Sequence, residues 1–319
     1  MFEGFANVWT IIGLARDFAP GKLHARQVAG TRIVLFRDGR GTLAALLDKC
    51  PHRGVALSLG RLADGHVECP FHGWCFDAAG RNVQVPWNPD AKLDQLSATA
   101  LPVREAGGLV WLYTGFAPAG EPQGSETLND PRVVLCGQTV RWQVHWTRAM
   151  ENMLDSPHLP FVHKGSIGRG LAKLVGAGGR MEVSWTPVDY GARIENEVVG
   201  RPSTARLDFR FPNAMELFID PPKRTFRMLA VCLPESETHT LMCIYTIRDF
   251  LRPALFNPLF AWSNARIARE DQAVLESSDP PRVPAAGQEK SVRTDAPTLA
   301  FRKLYFEKLA GSSAVPPAI

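Results

Sequence analysis

The chain has 319 residues, 45% apolar and 21% charged, so it carries enough apolar surface for a packed core and is not a disordered segment. Its net charge of +4 is mild, and its lysines and arginines form no basic run, which argues against a nucleic-acid-binding surface. The length points to one large or two ordinary domains.

The first stretch, MFEGFANVWTIIGLARDF, lacks a basic start, a long apolar run and a small-residue cleavage site, and does not read as a signal peptide. Short strand signals follow. RIVLFRDGRGTLAALLD places a D-G-R-G turn between two apolar runs, and FDAAGRNVQVPW repeats the plan around Ala79-Gly80. GGLVWLYTG is a further apolar strand. These signals predict a small all-β domain over residues 1–117. FAPAGEPQGSETLNDPR reads as a linker into a second domain, residues 118–319. There, residues 139–154 predict a strand running into a helix. The glycine-rich stretch 165–179 predicts a mobile entrance loop. The run 181–249 predicts a sizeable antiparallel sheet, and 260–278 a helix with Ile267, Val274 and Leu275 on one side. GSSAVPPAI is expected to fray. The fold class is therefore α+β. The longest apolar region, Phe250 to Trp262, is interrupted by Arg252, Pro253 and Pro258. It is too short to span a bilayer, and a soluble, cytoplasmic protein is expected.

Six cysteines in a chain this long do not suggest a disulfide scaffold. Cys75, Cys136, Cys232 and Cys243 read as buried filler. Cys50 and Cys69 differ, because each has a histidine beside it. CPHRG at 50–54 and CPFHGWC at 69–75 give Cys50-x-His52, sixteen residues, then Cys69-x-x-His72. Two thiolates and two imidazoles suit tetrahedral zinc. They also suit a [2Fe–2S] cluster with two cysteines on one iron and two histidines on the other. Gly54 and Gly73 follow the pairs, where their backbone N–H groups are expected to approach bridging sulfides.

C-x-H-R-G followed by C-x-x-H-G-W resembles the Rieske iron–sulfur motif, over roughly residues 5–116. The resemblance implies that Cys50 and Cys69 ligate one iron and His52 and His72 the other. Neutral imidazoles raise the potential of such a cluster above that of all-cysteine ferredoxins.

A second motif lies in ENMLDSPHLPFVH, residues 151–163. Taken alone, Asp155-x-x-His158 is an ordinary polar pair on one helix face. With His163 and the upstream motif it resembles the E/D-N-x-x-D-x-x-H-x4-H signature of Rieske-type non-haem iron oxygenases. On a straight helix His158 and His163 would diverge by about 140°. Pro160 disfavours helical geometry at Leu159, so a distortion is expected there. The resemblance implies a facial triad on a mononuclear Fe(II), His158 and His163 with a carboxylate from a late acidic helix. That carboxylate maps onto Asp271, with Glu270 as the alternative. Asp155 is implied as the bridge between the Rieske histidine, His72 of a neighbouring subunit, and His158. Glu151 and Asn152 are implied as supporting residues. A homotrimer follows from this inter-subunit route.

The resemblance further implies a terminal oxygenase of the α-only, monooxygenase or demethylase-like kind. It would take O2 and a largely apolar small molecule as substrates. NAD(P)H would act only indirectly, through a separate flavin and iron–sulfur reductase or a ferredoxin. No Gly-x-Gly-x-x-Gly follows a strand in this chain. Met153, Leu154, Phe161, Leu217, Phe218 and Met228 are the candidate pocket residues. Ring cis-dihydroxylation and desaturation use the same residues. A plain Rieske electron carrier would leave the 151–163 motif without a role, and a zinc-binding interaction module would leave His158, His163 and Asp271 unexplained.

Overall fold

A computed structural model describes residues 1–200, 204–285 and 287–316. The chain forms two compact units. Met1–Pro122 associates with the described residues from Ala310 onward, and Gln123–Leu309 forms the other.

The first unit is all-β. Its strands are β1 (Trp9–Leu14), β2 (His24–Val28), β3 (Thr31–Arg37), β4 (Leu43–Leu47), β5 (Arg61–Ala63), β6 (His66–Glu68), β7 (Cys75–Phe76), β8 (Asn82–Gln84), β9 (Ala100–Leu101), β10 (Val103–Ala106) and β11 (Leu109–Tyr113). They form three antiparallel sheets, ordered β1-β11-β10, β2-β3-β4-β9 and β5-β6-β7-β8. The two turns read from the sequence share one chemistry. Asp38 Oδ1 accepts the N–H groups of Arg40 and Thr42, and Gly41 takes φ +82°. Asp77 Oδ1 accepts those of Ala79 and Arg81, and Gly80 takes φ +78°. Aspartate fixes each turn and glycine supplies the left-handed residue that it needs. Val34, Phe36, Leu46, Leu57, Val67 and Phe76 form a fully buried cluster that also includes Cys50 and Cys69.

The described part of the C-terminal segment does not fray. Ala314 N–H donates to Met1 O, Gly4 N–H donates to Ser312 O, and Ala314 is buried. Residues 317–319 of that expectation lie outside the described residues.

The second unit is built on one antiparallel sheet. Its strands are β12 (Val134–Trp142), β13 (Met181–Val188), β14 (Gly191–Val198), β15 (Thr204–Arg210), β16 (Ala214–Phe218), β17 (Phe226–Pro234) and β18 (Thr240–Arg248), ordered β12-β18-β17-β16-β15-β14-β13. Its helices are α1 (Trp146–Leu154), α2 (Leu159–Val162), α3 (Arg169–Gly176), α4 (Asn257–Leu275) and α5 (Ala296–Lys308). Helix α1 packs on β17, α4 on β12 and α5 on β13. Trp146 of α1 meets Phe301 and Tyr305 of α5 edge-on at 5.8 and 5.5 Å, and Phe301 meets Phe209 of β15 at 5.8 Å. Each such buried ring stabilises the unit by about 1.5–3 kcal/mol.

Three expectations need correction. The 165–179 stretch contains a helix, α3, because Leu171, Leu174 and Val175 recur at helical spacing between the flanking glycines. On α4 the inward residues are Asn264, Ala268 and Asp271, whereas Val274 is exposed. The chain break between α1 and α2 precedes Leu159. Asp155 is already extended, Pro157 disfavours helix at Ser156, and Pro160 sits inside the first turn of α2, where its missing N–H costs nothing.

Candidate metal centres

The first centre is made by two equivalent turns. Cys50 N–H donates to Val55 O and its carbonyl accepts Gly54 N–H; Cys69 N–H donates to Trp74 O and its carbonyl accepts Gly73 N–H. Gly54 and Gly73 take φ +71° and +70°. Their N–H groups therefore close the turns rather than point at a cluster, contrary to the sequence expectation. Both thiols are buried. Burial, followed by the hydrogen bond and charge of Cys69, pushes the Cys50 thiol up to about 12. Such thiols ionise by binding metal. The imidazoles stand further out. His52 and His72 rings are 4.8 Å apart; His52 stacks on Trp74 at 4.5 Å and 3°, and exposed His72 lies against Phe71. Two sulfurs inside and two imidazoles outside fit a two-iron cluster whose histidine edge faces solvent. Cys75 is buried beneath the second turn, its Sγ directed at Gly73 O.

The second centre joins α2 to α4. The one-turn helix α2 puts His158 at its start and His163 at its end, with ring centroids 5.2 Å apart. Asp271 Oδ1 lies 3.0 Å from His163 Nε2 and 3.6 Å from His158 Nε2. The three ligand atoms all lie within 4.8 Å of one another. Cis donors about 2.1 Å from a metal stand about 3 Å apart, a spacing the two Asp271 contacts approach, whereas the set as a whole would have to draw in to share an ion. Asp271 is 3% exposed, and its Oδ1 is buried without a hydrogen-bond partner. An orphaned carboxylate oxygen between two imidazole nitrogens fits a cation.

Glu270, the alternative ligand, stands behind His163. Its Oε2 accepts from His163 Nδ1 at 2.8 Å and from Ser166 Oγ at 2.6 Å, and Arg266 Nε approaches its other oxygen at 3.4 Å. This contact keeps the proton of His163 on Nδ1 and leaves Nε2 free for a metal. Burial opposes charge on His163, but Asp271 and Glu270 together outweigh it and raise its pKa. Asp155 Oδ2 lies 3.4 Å from His158 Nδ1 and keeps a partly exposed side.

Glu151 and Asn152 line a polar groove of about 280 Å³ with Asp155, Arg148, Glu289 and Arg302. Within it two arginines and two glutamates form a closed ring. Arg148 Nη1 meets Glu151 Oε2 at 3.1 Å and Arg148 Nη2 meets Glu289 Oε1 at 2.6 Å; Arg302 bonds both carboxylates. Burial raises the pKa of Glu151 despite its two arginines, whereas Arg148 holds Glu289 down at about 2. Sequence reasoning missed Arg148, Glu289 and Arg302; only the Arg148–Glu151 spacing on α1 offered a signal.

The six candidate pocket residues separate. Leu154 is fully buried and Phe161 is 64% exposed. Met153 is half-buried. Leu217 and Met228 are cross-strand partners. Phe218 points to the other side of the sheet, its ring held at 4.1 Å from each of the Arg206 and Arg227 guanidinium carbons.

Comparison with known proteins follows the same division. Residues 8–98 match the Rieske [2Fe-2S] domain, and residues 142–310 match the vanillate O-demethylase oxygenase C-terminal domain. The chlorophyllide a oxygenase of Chlamydomonas reinhardtii is 27% identical over 78% of this chain and 39% of its own length. The oxygenase component of dicamba O-demethylase from Stenotrophomonas maltophilia is 31% identical over 50% of this chain and 48% of its own length. The chain thus spans about half or less of these curated relatives. A dicamba-bound structure of dicamba monooxygenase shares the fold with a TM-score of 0.80 at 23% identity, covering 95% of this chain and 97% of that one. Among the described residues, no helix is long and apolar enough to cross a membrane.

Proposed function

Since the chain belongs to the Rieske oxygenases whose C-terminal domain is of the vanillate O-demethylase type, we propose that it is a terminal oxygenase component that hydroxylates or oxidatively demethylates a largely apolar small molecule. The observation that carries this reading is the orphaned Asp271 Oδ1 between the Nε2 atoms of His158 and His163. An electron carrier has no use for it. In this reading Cys50, His52, Cys69 and His72 hold a [2Fe–2S] cluster, and His158, His163 and Asp271 hold Fe(II). When bound, the cluster supplies single electrons and the mononuclear iron activates O2.

This chain's residues then have separate tasks. Glu270 fixes the tautomer of His163 and orients its ring. Asp155 orients His158 and offers its exposed side to His72 of a neighbouring subunit, which makes a homotrimer the working form. Glu151, with Arg148 and Arg302, anchors α1 one turn before Asp155. The protein supplies substrate orientation and exclusion of water. Electrons from NAD(P)H reach it through a separate reductase or ferredoxin, in the cytoplasm. O-demethylation is favoured by the names of the relatives, which include vanillate and dicamba O-demethylase oxygenase subunits.

The test is Asp271→Ala with an O-demethylation assay and metal analysis. The expected result is loss of about one iron per chain and of turnover, with the visible spectrum of the cluster unchanged. Undiminished turnover contradicts the reading.

A further inference from the structure

The oxygenase reading above leaves the class of substrate open, and the large sheet narrows it. Two contacts fix which strand side chains face the helices. Phe209 meets Phe301 of α5, and Thr246 Oγ1 accepts from Asn264 Nδ2 of α4 at 3.0 Å. Strand alternation and register then put Leu217 and Met228 on that side. They sit in β16 and β17, inner strands of the sheet, where a helix-covered side chain is ordinarily fully buried. Both keep partial exposure. Open space therefore lies over this part of the floor.

The floor is almost free of charge. Among the described residues of the seven strands, Arg248 is the only charged side chain in the helix-facing register. Both Nη atoms of its guanidinium are already committed. Nη1 donates to Cys136 Sγ at 2.9 Å, and Nη2 donates to Leu251 O and Asn257 Oδ1 at 2.9 and 2.7 Å. The Phe260 ring covers it, 4.3 Å away. Its Nε has no hydrogen-bond partner, but the residue is fully buried under that ring.

What the floor does carry is amide. Asn264 shares the inward face of α4 with Asp271, two helical turns away. Asn196 of β14 is 7% exposed, and its Oδ1 is buried with no hydrogen-bond partner. Two residues along the same strand face, Val198 lines a narrow, mostly apolar cavity with Met181, Arg180 and Pro160, the last standing between His158 and His163. A buried acceptor left unpaired costs about 1–3 kcal/mol. The structure keeps one on the strand face that leads to this cavity, two residues from Val198, where an incoming molecule would pair it.

We propose that the substrate is uncharged and largely apolar, carries a hydroxyl or N–H donor, and is recognised through that donor by Asn196. A carboxylate would meet an amide oxygen there, and the Arg180 guanidinium at the same cavity already lies 3.6 Å from the Glu182 carboxylate.

The experiment is calorimetric titration of anaerobic, iron-loaded protein with three probes: 2-methoxyphenol, its donor-free analogue 1,2-dimethoxybenzene, and the anionic 4-hydroxy-3-methoxybenzoate. The expected order puts 2-methoxyphenol first, 1,2-dimethoxybenzene weaker by about tenfold, the worth of one hydrogen bond, and the benzoate, which keeps the hydroxyl but brings in an unpaired carboxylate, weaker by about tenfold or more. Asn196→Leu removes an unpaired acceptor, so its thermal stability should equal or exceed that of the parent while the preference between the two neutral probes disappears. Tighter binding of the benzoate, an unchanged preference in Asn196→Leu, or no binding of any probe at millimolar concentration overturns the proposal. Added reductase and O2 separate the two readings: the expected binding order without O-demethylation sinks the oxygenase reading and leaves this one standing.

Discussion

The two candidate metal-binding regions are assembled in opposite ways. The Cys50/His52 and Cys69/His72 pairs are local. Each is one short turn closed by the same two backbone hydrogen bonds, and each sulfur is anchored in the same buried cluster. The His158/His163/Asp271 set is topological. A one-turn helix presents the imidazoles, and a carboxylate arrives from α4, more than a hundred residues later. A local site depends on its own turn. A topological site depends on everything that holds two helices in register, including Glu270 behind one ligand and the Arg148–Glu151–Arg302–Glu289 ring below α1.

This difference can be broken most severely at the proposed ligands themselves. Cys69→Ala should abolish the cluster spectrum, and Asp271→Ala should abolish turnover while sparing that spectrum; visible absorption and iron analysis on the two variants distinguish local from topological loss. Asp155→Ala should keep both metals and still lose turnover. Retained turnover would remove Asp155 from the electron route.

A milder cut sharpens the comparison. Glu270→Gln keeps the fold but weakens the hold on His163, so affinity for the mononuclear iron should fall by about 10–100-fold, read by chelator competition. The cluster should not change. Arg302→Met leaves the buried Glu151 one partner short, and breaking such a pair costs about 3–5 kcal/mol. Its denaturation midpoint should drop accordingly. An unchanged midpoint would mean that the ring does not hold α1.

The smallest effect is on pH dependence. Glu289 is held at about 2 by Arg148 and Arg302, below its ordinary 4.5. A depressed carboxylate contributes stability that is present above its unfolded pKa and lost as pH falls toward the folded one. Between pH 5 and 3 the parent should therefore lose stability faster than Glu289→Gln. Parallel curves would assign the shift no role in stability.

The same contrast explains what could be read in the sequence. The candidate cluster residues could be proposed from the sequence because the Cys/His pairs, turn glycines and neighbours are contiguous, although the N–H groups of Gly54 and Gly73 have a different use from the one expected. The histidines of α2 were legible by resemblance, but the path between them was not. Pro160 looked like the breaker, whereas the break lies at Asp155 to Pro157 and Pro160 opens the next helix. Asp271 and Glu270 are neighbours in an acidic helix, and only the helix phase separates the residue facing Nε2 from the one behind Nδ1. Helix α3 was masked by its glycines. Helix α5 went unread although Phe301 and Tyr305 carry helical spacing. Glu289 and Arg302 lie far from Glu151 in sequence, and nothing in the chain order announces their ring.

The central claim is that this chain carries both an electron-storing cluster and a separate mononuclear iron. Iron and acid-labile sulfide content of anaerobically purified protein, with its visible spectrum, tests it most directly. The account predicts about three irons and two sulfides per chain, one [2Fe–2S] cluster plus one mononuclear ion. Zinc without sulfide, or two irons that stay two after reconstitution with Fe(II), would contradict it.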